Sequence, residues 1–433
     1  FTTIPADAFK ACARLTSFTV GKNITSIGSS AFEGCTGLAT LTFETGGVNP
    51  LIIGERAFYG TSSLTEVVFP DRLRDVVKEV VVDSFEIPGF GTVEITEETG
   101  YAGIGDSSFE NSGLVTISYE KDVDIATNYD MNTTVMIGKR AFANCASLVS
   151  AEFGPMTSGG SYDINGEMVV GEYAFYGCSK LSTLKLIPDD KIEEGFRNAS
   201  GIDSYAFMGC DSLASFSVPN NLCYFMPYSF TGSGIVTFEI PRYEDDFFGA
   251  TEVSIHDNAF EGCKKLTSFV SHAVMGSVMG DNGKPPLGRQ VFKDCTALRT
   301  VVFDDVYAVM DGAFENCTAL ESVSLNFIDK SGSDEVETCC IQANVFRNCS
   351  SLTSVSLTGD LKSIGANAFT GCVNLTSVAL PQGVTAVAGT AFSGWTQSQT
   401  IEVPYEEGAL PATFVTGWNG NAVIKYFTPG AGE

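Results

Sequence analysis

The chain has 433 residues, of which 44% are apolar, 11% aromatic and 18% charged, and its 25 Lys plus Arg face 52 Asp plus Glu for a net charge of -27. The apolar content excludes disorder, and the length exceeds what one ordinary core fills, about 250–300 residues. The charge excludes nucleic acid and an anionic membrane surface as partners, and no run approaches the ~20 apolar residues of a membrane span.

From the first residues onward one unit recurs. Ile4 is followed five positions later by Phe9, and Phe9 three positions later by Cys12. Fuller copies are IGSSAFEGCTGLATLTF from Ile27, IGKRAFANCASLVSAEF from Ile137 and IGANAFTGCVNLTSVAL from Ile364. The Phe column has fourteen members: Phe9, Phe32, Phe58, Phe109, Phe142, Phe175, Phe207, Phe230, Phe260, Phe292, Phe314, Phe346, Phe369 and Phe392. An apolar residue stands five places before every one of them, from Ile4 and Ile27 to Ile364 and Val387. Successive Phe residues lie 22 or 23 apart in the tightest units and 30–33 apart in many others. A fixed period on this scale is the mark of a stack of coils in which each unit packs only on its neighbours.

Within a coil, Leu-x-x-Leu-x-Leu reads as a short strand with its last two apolar residues inward, and stacking makes a parallel sheet. Pro70, Pro219, Pro241, Pro381 and Pro404 follow that strand and end its ladder. The Ile-Gly pair reads as a second short extended piece. Ala-Phe-x-Gly-Cys reads as a tight turn or single helical turn whose Phe plugs the interior. Gly, Asn or Asp two places after Phe (Gly34, Asn144, Gly177, Asp294, Asn348, Gly371) suits a left-handed corner.

Ten of the 13 cysteines fill one column of this repeat, from Cys12 and Cys35 to Cys349 and Cys372. In-register neighbours about 4.8 Å apart do not match disulfide geometry, so the column reads as buried thiols acting as small hydrophobes. Cys223, Cys339 and Cys340 fall outside the column; exposure would make them the better candidates for reactivity. Ser112 and Ser233 replace the column Cys and would bond a neighbouring backbone group; Thr61 and Trp395 also stand there. His256 belongs at a coil corner, and His272 opens an insertion without a nucleophile in register. Acidic pairs such as Glu97-Glu98 and Glu193-Glu194 lack a framework that would space two glycosidase carboxylates. Glu244-Asp245-Asp246 and Asp304-Asp305 lack calcium-loop spacing.

Insertions recur between the strand and the next Ile-Gly, at about 70–102, 120–136, 154–169, 187–201, 241–254, 271–286 and 326–340. Recurrence at one point of the coil places them along one edge, where repeat proteins build binding surfaces. The longest reads as a hairpin, VKEVVVDSFEI and TVEIT around Pro88-Gly89-Phe90-Gly91. Phe90, Tyr101, Tyr119, Tyr129, Tyr162, Tyr243, Phe247 and Phe248 lie in or beside insertions, as contact anchors or as packing of the loops. Residues 395–433 leave the repeat with one more strand and a Gly-rich tail, a cap in which Trp395 and Trp418 cover coil interiors. The uncapped first coil suggests further residues upstream, with any signal or anchor outside this sequence.

The unit Ile-Gly-x-x-Ala-Phe-x-x-Cys-x-x-Leu-x-x-Leu-x-Leu resembles the BspA-like leucine-rich repeat of bacterial cell-surface proteins, from residue 4 to about 403. The resemblance implies a mainly β, right-handed superhelix of about fourteen coils over residues 1–394, at the cell surface, in adhesion and protein binding. It supplies no catalytic residue, metal or cofactor. The expected role is non-catalytic recognition of a host or neighbouring-cell protein or glycan through the solenoid face and the lateral loops. A structural stalk presenting another domain, and a hydrolase using loop carboxylates, are the alternatives.

Overall fold

The computed structural model describes residues 1–70, 72–73, 76–87, 91–101, 103–119, 136–153, 167–186, 200–218, 222–242, 244–245, 249–250, 252–275, 287–329 and 339–427. It contains two compact units: Phe1–Ser161, Met168–Cys178 and Lys185–Asp190 in the first, and Tyr162–Glu167, Ser179–Leu184 and Lys191–Glu433 in the second.

Each unit is a stack of coils built on parallel ladders. In the first, Ser17–Val20 pairs with Thr40–Phe43, and Glu66–Phe69 pairs with Thr116–Tyr119, which pairs with Ser150–Phe153. In the second, Thr237–Ile240, Ser268–Met275, Thr300–Val306, Ser322–Phe327 and Ser354–Gly359 follow one another in register. Strand side chains alternate between faces, so in Thr40–Phe43 the threonines are exposed while Leu41 and Phe43 are buried. Pro70, Pro241 and Pro404 each follow such a strand, as the sequence predicts; Pro219 lies outside the described residues.

The Ile-Gly segments form the second ladder. Ile4 pairs with Ile27, Ile27 with Ile53, and single bridges continue through Ile104, Ile137 and Val170. In the second unit Val309, Ile341, Ile364 and Val387 line up likewise. The glycine after the apolar residue has a steric cause: a Cβ on Gly54 would lie 2.8 Å from the Ile27 carbonyl oxygen, and one on Gly138 2.7 Å from that of Ile104.

The Phe segment is a turn, and the described residues contain no helix. It makes a third ladder: the Phe32 N–H donates to Ala57 O at 2.7 Å, and Phe142 to Ala174 O at 2.8 Å. Two left-handed corners shape it. The one after Phe falls where expected, with φ of 71° at Gly34, 59° at Asn144 and 61° at Asp294. A second, two places before Phe, holds Ser30, Arg56, Arg140, Tyr205, Asn258 and others at φ of 54–61° or close to it.

Thirteen of the Phe plugs, Phe32 to Phe392, are fully buried, while Phe9 is half-buried. Within each unit their rings stack coil on coil, with centroids 5.0 Å apart for Phe32 and Phe58, 5.2 Å for Phe292 and Phe314, and 4.9 Å for Phe369 and Phe392. The Leu column six places on (Leu38, Leu148, Leu298, Leu352) is equally dry. Burying each such side chain is worth roughly 1.5–3 kcal/mol, so repetition of one plug supplies the core.

The C-terminal segment differs from the expected strand plus tail. Phe414 bridges Val387 in the Ile column, Trp418 packs edge-on to Phe392 at 6.0 Å, and Val423–Tyr426 pairs in parallel with Thr400–Val403. The tail therefore builds one more degenerate coil, with Trp418 beside the plug column.

Among the insertions, Val76–Ile87 and Gly91–Tyr101 form the expected antiparallel hairpin. Ser271–Met275 proves to be the second half of the Ser268–Met275 strand rather than a loop, because it pairs with Asp305 and Val306 beyond a bulge. Glu244–Asp245 and Gly249–Ala250 pair as a small antiparallel ribbon. The greater part of the other insertions lies outside the described residues.

Candidate functional site

The interior uses up most of the chemistry that the sequence offers. The Sγ atoms of Cys35, Cys145, Cys178, Cys263, Cys295, Cys317, Cys349 and Cys372 each lie 3.0–3.2 Å from the carbonyl oxygen of the Phe one coil earlier. The thiol thus donates weakly to an oxygen that already accepts a backbone N–H, as Phe9 O accepts from Cys12 N as well as from the Cys35 thiol. Trp395 keeps this contact through its indole N–H, 3.1 Å from Phe369 O. Thr61 bonds a backbone oxygen, Phe58 O, at 2.8 Å. Ser112 and Ser233 differ from expectation: their hydroxyls meet the next coil's thiol, Cys145 at 3.2 Å and Cys263 at 3.5 Å.

Burial pushes the Cys145 thiol up to about 11 and Cys372 to about 12, and raises Cys317 further. None is a nucleophile at neutral pH. The three cysteines outside the column are corrected by the structure. Cys223, Cys339 and Cys340 are buried, the Cys339 Sγ lying 3.4 Å from Ile328 O, because their segments join the edge of the Ile ladder. The exposed thiol is Cys12.

The turn edge of the first unit is closed by ion pairs between coils. Arg56 binds Glu33 through both Nε and Nη2, at 3.2 and 2.8 Å, and lies 3.8 Å over the Tyr59 ring. Arg140 grips Glu110 in the same way, at 3.0 and 2.5 Å. Hydrogen bonding from Arg56 holds the Glu33 carboxyl at about 2. Burial opposes ionisation of Glu110, but hydrogen bonds from Arg140 and Ser107 still hold it below the usual carboxylate range. In the second unit Tyr205 and Tyr228 stack at 4.9 Å on the corresponding edge. These corner residues vary in type from coil to coil, so the repeat pattern carries no signal for them.

What remains open is the outer face of the wide ladder in the second unit. Register places Thr237, Ser268, Thr300, Ser322 and Ser354 in one outward column. Two residues on, Glu239, Val270, Val302, Ser324 and Ser356 form another. All ten are half-buried or exposed. Charged side chains stand in pairs, at the margins and at Glu239 within the second column. His272 Nδ1 is 2.7 Å from Asp304 and its Nε2 3.8 Å from Glu239. Arg242 binds Asp305 at 2.9 Å, Asn326 donates to Asp305 at 3.1 Å, and Arg299 pairs with Glu321. His272 thus stands between two carboxylates on a strand, not in a loop. The Ser-x-Ser alternation about inward Val323 and Val355 is the signal that reveals this face in the sequence.

Of the eight aromatic candidates, Tyr119 is half-buried at the end of Thr116–Tyr119, opposite Phe69. Tyr101 ends the hairpin strand paired to Val76. Phe90, Tyr129, Tyr162, Tyr243, Phe247 and Phe248 lie outside the described residues. No cluster of these eight is formed by the described residues.

Comparison with known proteins adds the following. A family model for the BspA type leucine rich repeat region, in six copies, matches residues 2–131, 127–267, 247–339 and 339–407. A leucine-rich repeat protein of Bacteroides ovatus is 24% identical over 88% of this chain and 83% of its own, with a TM-score of 0.48. A leucine rich cell surface protein of Faecalibacterium prausnitzii is 17% identical over 100% of this chain and 83% of its own, at 0.31. The pneumococcal vaccine antigen PcpA is 15% identical over 98% and 71%, at 0.32. No curated protein matches. With the repeat model spanning nearly all of the sequence, the chain belongs to the BspA-type leucine-rich repeat family.

Proposed function

We propose that the protein is a non-catalytic cell-surface binding or adhesion protein that recognises a protein or glycan through the outer face of its strand ladder and the adjoining loops. One observation carries this reading: the interior takes up the apolar residues and every thiol but Cys12, whereas the outward strand columns of the second unit, seven of whose ten residues bear a hydroxyl, are half-buried or exposed and in register over five strands. A repeated, rigid face of this kind fits recognition, which needs pre-organised contacts more than reactive groups. The surface of a neighbouring or host cell is the expected source of the ligand. The test is a screen of the intact chain against immobilised matrix proteins and a glycan array, with the Val76–Tyr101 hairpin deleted as a parallel sample. Saturable binding to at least one member supports the reading. Absence of binding to every member contradicts it, and binding lost with the hairpin alone moves the contact from the strand face to the loop edge.

A further inference from the structure

We infer that the ligand of the second unit's outer face is an extended, uncharged β-1,4-linked polysaccharide, laid along the stack with one sugar per coil. This rests on the binding reading above and names its partner. Three observations lead to it.

The first is repeat length. Thr300, Ser322 and Ser354 are directly opposite one another in register, as are Ser324 and Ser356. Neighbouring strands lie about 4.8 Å apart, close to the length that one hexose adds to an extended β-1,4-linked chain. A linear glycan laid along the stack therefore meets one outward hydroxyl at each of the five strands, and a pair at Ser322 with Ser324 and at Ser354 with Ser356.

The second is charge. In a chain of net charge -27, nine of the ten outward positions carry a hydroxyl or a valine and the tenth is Glu239. At the margins Arg299 pairs with Glu321 and Arg242 with Asp305, while Asp304 and Glu239 flank His272. Such a face suits a neutral ligand, while the overall negative field disfavours uronate, sulfated or nucleic-acid chains.

The third is unsatisfied hydrogen-bonding capacity beside an apolar floor. Thr300 Oγ1 is bonded to Ser268 Oγ at 3.1 Å. Among the described residues the hydroxyls of Ser322, Ser324, Ser354 and Ser356 make no hydrogen bond within the protein. Each can donate one bond and accept two, which matches the sugar hydroxyl. Val270 and Val302, half-exposed on the same face, offer a surface to the axial C–H side of a pyranose.

The experiment uses the whole chain in affinity gels that contain soluble β-1,4-glucan, β-1,4-mannan, β-1,3-glucan or polygalacturonate. Ser324→Lys and Ser356→Lys variants, whose side chains point outward and leave the core untouched, are run alongside with circular dichroism as a folding check. The expected result is retardation by one of the β-1,4 polymers, little by β-1,3-glucan or polygalacturonate, and a loss of about tenfold in affinity in each variant, equivalent to about 1.4 kcal/mol. Retardation equal for both linkages, or unaltered in folded variants, overturns the inference. A chain that binds a protein in the broader screen but none of the polymers overturns it while leaving the binding role intact; a chain that binds nothing removes both.

Discussion

A single carboxylate illustrates how the coils are locked to one another. Glu33 receives two hydrogen bonds from Arg56 of the next coil, and its pKa falls from the ordinary 4.5 to about 2. A group depressed in the folded state contributes stability that is complete above 4.5 and is lost as the pH falls toward 2. Urea midpoints measured from pH 7 to pH 2 should fall across that window in the parent chain. Glu33→Gln should begin lower at pH 7 and decline less steeply, and parallel curves for the two proteins would contradict this assignment. The Phe carbonyl is the second residue-scale device, because it takes a thiol in most coils and an indole N–H from Trp395 in another. That shared acceptor explains why so large a residue stands in a column of small ones.

At the scale of the element, the turn is held by backbone conformation as much as by side chains. Gly232 and Gly371 both lie in the left-handed region, with φ of 66° and 84°. A Cβ at Gly232 would meet nothing within 4 Å, whereas one at Gly371 would lie 3.1 Å from Asn348 Cα and 3.2 Å from its N. Gly232→Ala should therefore cost only the left-handed penalty, roughly 1–2 kcal/mol. Gly371→Ala should cost distinctly more, because the backbone at Asn348 must also move. Chemical denaturation of the two variants decides this, and equal losses would show that inter-coil spacing is not limiting there.

How much of this was legible in the sequence follows from the same geometry. A column is readable when one residue type fills it, so the Phe plugs, the Ile ladder and the corner after Phe were all evident. The corner before Phe was not, since Arg56, Tyr205, Asn258 and Gln290 share a backbone angle but no chemistry. The solenoid face was expected as a binding surface, but its residues were not picked out, for a related reason. Ser322, Ser324, Ser354 and Ser356 look like ordinary exposed strand residues until register sets them side by side. Cys339 and Cys340 misled because their place outside the repeat column suggested a loop, whereas Cys340–Ile341 is a rung of the Ile ladder.

For the whole molecule the consequence is that stability resides in columns rather than in a central core. Removing a plug such as Phe314, stacked between Phe292 at 5.2 Å and Phe346 at 5.5 Å, should cost about 3–5 kcal/mol. Hydrogen exchange in Phe314→Ala should show the loss of protection centred on the coils around residue 314 and fading along the second unit. Uniform loss over that unit would instead indicate a single cooperative core. The same columns turn apolar and thiol groups inward and leave hydroxyl-bearing strand positions outward in the second unit. Alkylation of the folded chain with a small thiol reagent, read by mass spectrometry residue by residue, tests that arrangement most directly. Of the 13 cysteines, Cys12 should be modified rapidly and the others only on unfolding; rapid modification of Cys317 or Cys349 in the folded protein would contradict the account.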